Sequence, residues 1–289
     1  MPNVAVVTDS VASIPEDLLK ALQIRWVAYF VHRGTEVLRD LVTIQREEFF
    51  RWRPSARELP QTASPGPGDY LRMYERLSME EGAQEIVSVH MTSIGSGAYQ
   101  AARAAQAMAL EQLPDVRIEV IDTRNAAMAH GWMVIEAARA AIAGLRLEAV
   151  AERVRSLIPR CKMIMTADTL RYLYMGGRIG QAARLVGTAL NIKPLIGMED
   201  GVIVAVGQAR SRSQAYQKIV DMVESIVGPN GKAKFAFIHA AAREEAEKLR
   251  SMVEARVASV ETLIAELTPA LGVHSGPGTT GVCFYPVQE

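Results

Sequence analysis

Cysteine is nearly missing from this chain of 289 residues: Cys161 and Cys283 stand far apart, and no C-x-x-C or Cys/His cluster occurs. That argues against a disulfide scaffold and against a structural zinc site. Two unpaired thiols in an otherwise ordinary chain suit a reducing compartment, so a cytoplasmic protein is expected. Histidines number five, and no two have the helical spacing of metal ligands, so no metal is expected. Excess charge of one sign is missing too. Lys plus Arg and Asp plus Glu are both 32, and nothing draws the whole molecule to nucleic acid or anchors it on an anionic membrane. No apolar run approaches the roughly 20 residues of a membrane span. Met1 is not followed by the basic start and apolar stretch of an export signal, so none is expected. There is no Walker A loop, which excludes that device for nucleoside triphosphates. The G-x-S-x-G elbow of esterases is absent as well, although Gly95-Ser96-Gly97 carries part of it. No internal repeat or low-complexity tract occurs.

What is present is an ordinary globular composition, 49% apolar and 22% charged, with enough apolar material for a sizeable core. The length suits one large or two ordinary domains. In the first half, strands are expected at Val4–Val7, Trp26–Val31, Glu85–His90 and Ile118–Ile121. Helices are expected at Pro15–Leu22, Tyr70–Leu77, Gly97–Gln112 and Ala129–Ala143. Strand, helix, strand is the signature of a mostly parallel sheet with helical crossovers. Arg51–Gly68 breaks this rhythm. Pro54, Pro60, Pro65 and Pro67, with Gly66 and Gly68, make it mostly loop, and a loop of that length is usually functional or disordered.

Past a boundary near residue 158 the pattern changes. Strands are expected at Lys162–Thr166, Lys193–Met198, Val202–Gln208, Phe235–His239, Thr262–Leu267 and Val282–Tyr285. Asp200-Gly201 is a hairpin signal between the second and third of these. The stripe Tyr216, Ile219, Val220, Val223 and Val227 marks one helix, and Glu244–Ala258 a second. The expected fold class is α/β, with an N-terminal α/β domain over 1–158 and a C-terminal α+β domain over 159–289.

Gly276-Pro-Gly278-Thr-Thr-Gly281 fits G-x-G-x-x-G formally. A dinucleotide fold needs that loop between a strand and a helix, whereas the residues after Gly281 read as a strand. It reads better as a glycine turn, whose backbone N–H groups can also face an anion, and His274 stands just before it. Four further segments share that character. Asp9-Ser10 follow the first strand, where parallel sheets place their ligand crevices. Pro60-Gln-Thr-Ala-Ser-Pro65 offers the hydroxyls of Thr62 and Ser64. Met91-Thr-Ser-Ile-Gly-Ser-Gly97 offers three more, including Ser93, at a helix N-terminus suited to an anion. Gly176-Gly-Arg178 and Arg210-Ser-Arg212 set guanidinium groups, the natural bidentate partners of an oxyanion, beside turns. Singly, each has a plain structural reading. A hydroxyl before a helix is commonly a cap, an isolated Arg a solvated charge, a lone His a satisfied structural residue, and Asp122-Thr123 a turn cap. Together they describe an anion-recognising site better than a set of caps.

In order and spacing these segments resemble the DegV family over essentially the whole chain. The landmarks are Val7-Thr-Asp-Ser10, Pro60-Gln-Thr-Ala-Ser-Pro65, Thr92-Ser-Ile-Gly-Ser-Gly-Ala-Tyr-Gln100 and Ile121-Asp-Thr123 with Gly131 after it. Leu170-Arg-Tyr-Leu-Tyr-Met-Gly-Gly-Arg-Ile179, Lys193-Pro-Leu195, Asp200-Gly201 and His274-Ser-Gly-Pro-Gly-Thr-Thr-Gly281 complete them. The resemblance implies a two-domain DegV-like fold that buries one long-chain fatty acid and uses no cofactor. The carboxylate lies near the domain junction and the acyl chain in an apolar tunnel. It also implies a partner. In bacteria with a fatty acid kinase, such proteins present the acid to a separate ATP-binding subunit, which makes an acyl phosphate for phospholipid synthesis.

Carried over by position, Thr62 and Ser93 hydrogen-bond the carboxylate, while Arg178, Arg210 and His274 line the region where the acyl phosphate forms. Asp9, Ser10, Gly95, Gly97, Gly276 and Gly278 shape the supporting loops. None is a catalytic nucleophile, because the attacking oxygen is the fatty acid's own. Two departures bear on the head group. The family's Thr-Ser-Gln-Pro is Thr62-Ala63-Ser64-Pro65 here, which offers Ser64 as a replacement contact. Its Ser-Ser-Gly-Leu-Ser-Gly is Thr92-Ser93-Ile94-Gly95-Ser96-Gly97, with glycine and the apolar residue exchanged. Two alternatives stay open. One is a free-standing small hydrolase or transferase using Ser93 and His274 with Asp9, against which the missing elbow counts. The other is a binder of another anionic amphiphile. Transient contact with a membrane during loading is compatible with the lipid readings.

Overall fold

The computed structural model describes residues 4–53, 59–185 and 192–287. The chain opens with β1 (Val4–Asp9), a 3-10 turn over Ser10–Ala12, α1 (Glu16–Ala21) and β2 (Arg25–Val27). It continues with β3 (Phe30–Arg33), β4 (Glu36–Arg39), α2 (Arg46–Trp52) and β5 (Gln61–Ala63). Then come α3 (Pro67–Met79), β6 (Glu85–His90), α4 (Ala98–Gln112), β7 (Arg117–Asp122), α5 (Ala127–Ile142) and α6 (Leu147–Leu157).

Four of these strands form a wholly parallel sheet in the order β2-β1-β6-β7. β1 and β6 are buried along nearly their whole length, as the near-continuous apolar runs of a helix-covered parallel sheet require. α4 packs on β6 and β7, α5 on β1 and β6, and α6 on β6 and β7. The single strand expected over Trp26–Val31 is two. It breaks at Ala28-Tyr29 because the Tyr29 N–H donates to Ser10 Oγ (3.1 Å) and its carbonyl accepts from the Asp40 N–H (2.9 Å) instead of joining a ladder. β3 then enters a separate antiparallel sheet, β4-β3-β5. Part of the expected loop Arg51–Gly68 is a strand. Pro60 and Pro65 bracket β5, so Thr62 sits on a strand opposite Val31, and α3 begins at Pro67. Pro54, within that expected loop, lies outside the described residues.

The remaining elements are β8 (Lys162–Thr166), α7 (Arg171–Met175), a 3-10 segment over Gly180–Leu185, β9 (Lys193–Glu199) and β10 (Val202–Ala209). They end with α8 (Arg212–Val227), β11 (Lys232–His239), α9 (Arg243–Glu254), β12 (Ala258–Glu266), α10 (Pro269–Ser275) and β13 (Thr280–Val287). The strands form one six-stranded sheet, β10-β9-β8-β13-β11-β12, antiparallel except for the β11–β12 pair. As expected, Asp200-Gly201 turns β9 into β10, with φ of 47° and 84°.

Alternation along its strands divides this sheet between two cores. Ile164, Phe235, Phe237, Val282 and Phe284 pack with Tyr216, Ile219 and Val223 of α8 and Leu249 and Val253 of α9. The intervening Met163, Met165, Ala236, Ile238, Cys283 and Tyr285 face the other way and join the core of the first half. α5 lies between. It is mostly apolar, buried from Ala127 to Ala138, and touches β1, β8, β11 and β13. Trp132 Nε1 donates to Cys283 O (3.2 Å). Among the described residues no helix is long and apolar enough to cross a membrane.

Candidate functional site

A cavity of about 800 Å³ opens where the loops after β1 and β6 meet the second sheet. Its floor is apolar, with Val11, Ala126 and Ala127 from the first half and Met163, Met165 and Leu271 from the second. The polar side chains of Thr62, Ser64, Ser93, Ser96, Arg178 and His274 also line it. An apolar hollow with a few convergent polar groups at the carboxyl ends of parallel strands is the usual form of a ligand site. A second hollow of about 700 Å³ lies at the opposite strand ends. Its walls are ion-paired, Arg25 with Glu81 and Arg117 with Glu85, and it lacks the apolar body of the first.

These polar side chains come from four segments. Thr62 Oγ1 lies 2.8 Å from His274 Nε2, although 212 residues separate them in sequence. β5 supplies the hydroxyl and α10 the ring, a short helix with Pro269 in its first turn. Gly176 is pressed on the other side of that ring, where a Cβ would stand 2.3 Å from Nδ1, and Nδ1 is buried without a hydrogen-bond partner. Burial and then the charge of Arg178 pull the His274 pKa down to about 4, so the ring is neutral at pH 7. A neutral imidazole carries one N–H. In the tautomer with its proton on Nε2 the ring donates to Thr62 and leaves the threonine O–H for a ligand; in the other the ring accepts that O–H.

Ser93 lines the cavity while its backbone N–H is taken by the Asp122 carboxylate (3.2 and 3.3 Å). Asp122 therefore positions that loop as well as capping its own turn through the Arg124 N–H (2.8 Å). Ser64 lines the cavity against Gly97, where an added Cβ would come within 3.1 Å of its Oγ. Gly95 lines it too. Arg178 is exposed at the rim, with Nη1 donating to Gly176 O (2.7 Å). Tyr29 was not a sequence candidate; its hydroxyl meets Ser96 Oγ at 2.6 Å on the cavity wall. The only sequence signal for it was an aromatic residue within an expected strand.

Other candidates lie off the cavity. Arg210 follows β10 exposed, its N–H bonded to Gln214 Oε1 (3.1 Å) by the turn into α8, and it does not line the cavity. Its neighbour Arg212 joins Lys193 on Asp168 instead (2.6 and 2.7 Å). Gly276 and Gly278 are turn glycines at φ 75° and 80°, and Cβ atoms there would collide with the Tyr172 ring and with Asp168 Oδ2. Asp9 and Ser10 are buried supports. Ser10 Oγ donates to Asp40 Oδ2 (2.6 Å), and Asp40 Oδ1 accepts the Ala270 N–H (3.0 Å) at the start of α10. Burial pushes the Asp40 carboxyl up to about 6.

Asp9 Oδ2 pairs with His90 Nδ1 (3.0 Å), and His90 Nε2 meets Ser88 Oγ (2.7 Å). This has the connectivity of an acid–base relay, but Asp9, His90 and Ser88 are at most 1% exposed and none lines the cavity. Asp9 is thus committed to His90 and His274 to Thr62, so the Ser93, His274 and Asp9 of a hydrolase reading do not form one hydrogen-bonded relay.

Residues 3–287 match the family model described as "Uncharacterised protein, DegV family". Over 284 residues the chain is 30% identical to a DegV domain-containing protein of Caldanaerobacter subterraneus, covering 98% of this chain and 99% of that one. It is similar in structure to a DegV family protein of Thermus thermophilus described by its fatty acid binding, with a TM-score of 0.91, 31% identity, and 99% and 100% of the two chains covered. A stearic acid-binding protein of Eubacterium ventriosum matches with a TM-score of 0.89 at 25% identity over 98% of each chain.

Proposed function

The chain belongs to the DegV family, and on that premise we propose that it binds one long-chain fatty acid in the junction cavity and does no chemistry alone. The observation that carries this reading is the cavity itself: an apolar body that the Thr62–His274 pair also lines. The acyl chain fills the floor along Met163, Met165 and Leu271. Each buried methylene contributes about 0.8 kcal/mol, so sixteen carbons gain on the order of 10 kcal/mol before the entropy of binding is subtracted. The carboxylate accepts the Thr62 O–H, with Ser93 and Ser64 as further donors. Neutral donors suffice for one negative charge.

The finer part of the proposal is that this chain presents its ligand to a separate ATP-binding kinase subunit. An acyl phosphate brings more negative charge, and Arg178, exposed at the rim, is the cation placed to meet it. Arg210 points elsewhere and would serve only in contact with that partner. Residues 1–158 and 159–289 remain the proposed domain limits, with the site between them.

Native mass spectrometry of the purified protein, with lipid identification after denaturation, tests the reading. One fatty acid per chain is the expected result. A protein that is empty and takes up neither oleate nor palmitate would refute it and turn the hydroxyl–histidine site toward another anionic amphiphile. Acyl-phosphate formation on adding a kinase subunit from the same genome tests the partner separately.

A further inference from the structure

We propose that four methionines make the acyl part of this cavity adaptable, so that straight saturated and bent cis-unsaturated long chains bind with little discrimination. The inference rests on the fatty-acid reading above. Of the thirteen methionines in the sequence, Met91, Met163, Met165 and Met198 line the cavity. Three stand on the six-stranded sheet and one on a loop of the first half. Met163 and Met165 alternate along β8 and so share one face of the six-stranded sheet. Ile164 is paired with Gly197 in the antiparallel ladder, which sets Met198 opposite Met163. Met91 comes from the loop after β6, its Cε 3.6 Å from where a Gly95 Cβ would lie.

β8 itself shows the choice being made. Its helix-facing position is Ile164, packed with Tyr216 and Ile219 in the outer core. Its cavity-facing positions are Met163 and Met165. Ile is held to one χ1 rotamer by its branched Cβ, whereas Met turns about three bonds and refits irregular space. A cis double bond bends an acyl chain, so a stiff wall clashes with one shape and leaves a void beside the other. Voids and overpacking are both unfavourable. Walls that re-form around either shape level that difference, as flexible Met-rich surfaces do in promiscuous binders.

Titration of delipidated protein with stearate and with oleate tests this. The wild-type dissociation constants are expected to agree within about threefold, and those of Met163→Ile/Met165→Ile/Met198→Ile to separate by about tenfold or more. Met252→Ile, in the outer core away from the cavity, is expected to leave the ratio unchanged. If the triple variant does not fold, Met165→Ile and Met198→Ile singly should each shift the ratio in one direction. A wild-type protein that already separates the two acids by more than about tenfold would overturn the inference, as would variants that remain indiscriminate. Binding of neither acid by the wild type is a different result. It removes the fatty-acid reading itself, and this inference with it.

Discussion

Replacing Gly201 with alanine probes the contact that closes the cavity between the two halves of the chain. Gly201 has φ +84°, and a Cβ there would stand 2.5 Å from Thr92 Oγ1 and 3.2 Å from Ile94 Cδ1. Thr92 Oγ1 donates to the Gly201 carbonyl at 2.9 Å in a buried position, so the hairpin tip is tied to the loop that carries Ser93. Gly144 is an internal control, because its φ is +85° and open space surrounds its Cβ position. Both substitutions incur the left-handed penalty of an L residue, about 1–2 kcal/mol. Gly201→Ala must also push Thr92 aside, leaving a hydroxyl and a carbonyl unsatisfied at a further cost of about 1–3 kcal/mol. The expected losses are therefore about 1–2 kcal/mol for Gly144→Ala and about 2–5 kcal/mol for Gly201→Ala. Urea unfolding followed by circular dichroism, with linear extrapolation, reads the difference. Equal losses would refute the reasoning, since the tip would then have no specific hold on the loop. Adding Thr92→Val to Gly201→Ala should destabilise less than Thr92→Val alone, because the two residues share one contact.

Thr62→Val should weaken fatty-acid binding by about tenfold or more, the worth of one hydrogen bond to a charged group; calorimetry showing an unchanged Kd would remove Thr62 from the head-group site. Arg178→Ala should leave fatty-acid affinity nearly intact and raise the His274 pKa, since the guanidinium assists burial in holding it down, and NMR titration of the ring would show either outcome. Stability should also fall on mild acidification. His274 and His239 are both held at about 4, chiefly by burial, with Arg178 and Arg243 respectively adding to it. The unfolded chain therefore takes up their protons first, and stability that is complete above pH 6.5 is lost as pH drops toward 4. Asp40, raised to about 6 by burial, slopes the opposite way between its ordinary 3.8 and 6. Two rings outweigh one carboxyl, and urea midpoints that rise on acidification would contradict this. Finally, Glu136→Gln should destabilise by about 1–3 kcal/mol, because it removes the charged acceptor of Lys234, Arg139 and Arg153 while Glu261 still pairs the first two. Burial raises that carboxyl, but the three cations outweigh it and hold it down at about 2. Glu136→Gln should therefore also lose the sensitivity that appears as pH falls from 4.5 toward 2.

Much of the fold was legible because its signals are local. The Asp200-Gly201 turn, the stripe of α8 and the apolar runs of β1 and β6 each depend on neighbours within a few residues. The signal for α6 was of the same kind, Leu147, Val150, Ala151, Val154 and Leu157 at helical spacing, and it passed unread beside the expected domain boundary. The break at Tyr29 and the existence of β5 were not legible. Both hinge on partners distant in the chain, Ser10 and Asp40 for the first and Val31 for the second.

The site divides in the same way. Hydroxyls, glycine turns and guanidinium groups marked segments with the chemistry an oxyanion needs, and the resemblance to the DegV family singled out Thr62, Ser64, Ser93, Arg178 and His274 within them. Only the tertiary structure decided which of them share a cavity, because Cβ directions and packing across two sheets have no signature in a one-dimensional pattern. It seated His274 on Thr62, turned Arg210 outward and tied Asp9 to His90. It also drew four methionines out of thirteen to one cavity. His274 is neutral for the same reason: its charge state depends on burial and on Arg178, which lies 96 residues away in sequence and is brought near only by the fold.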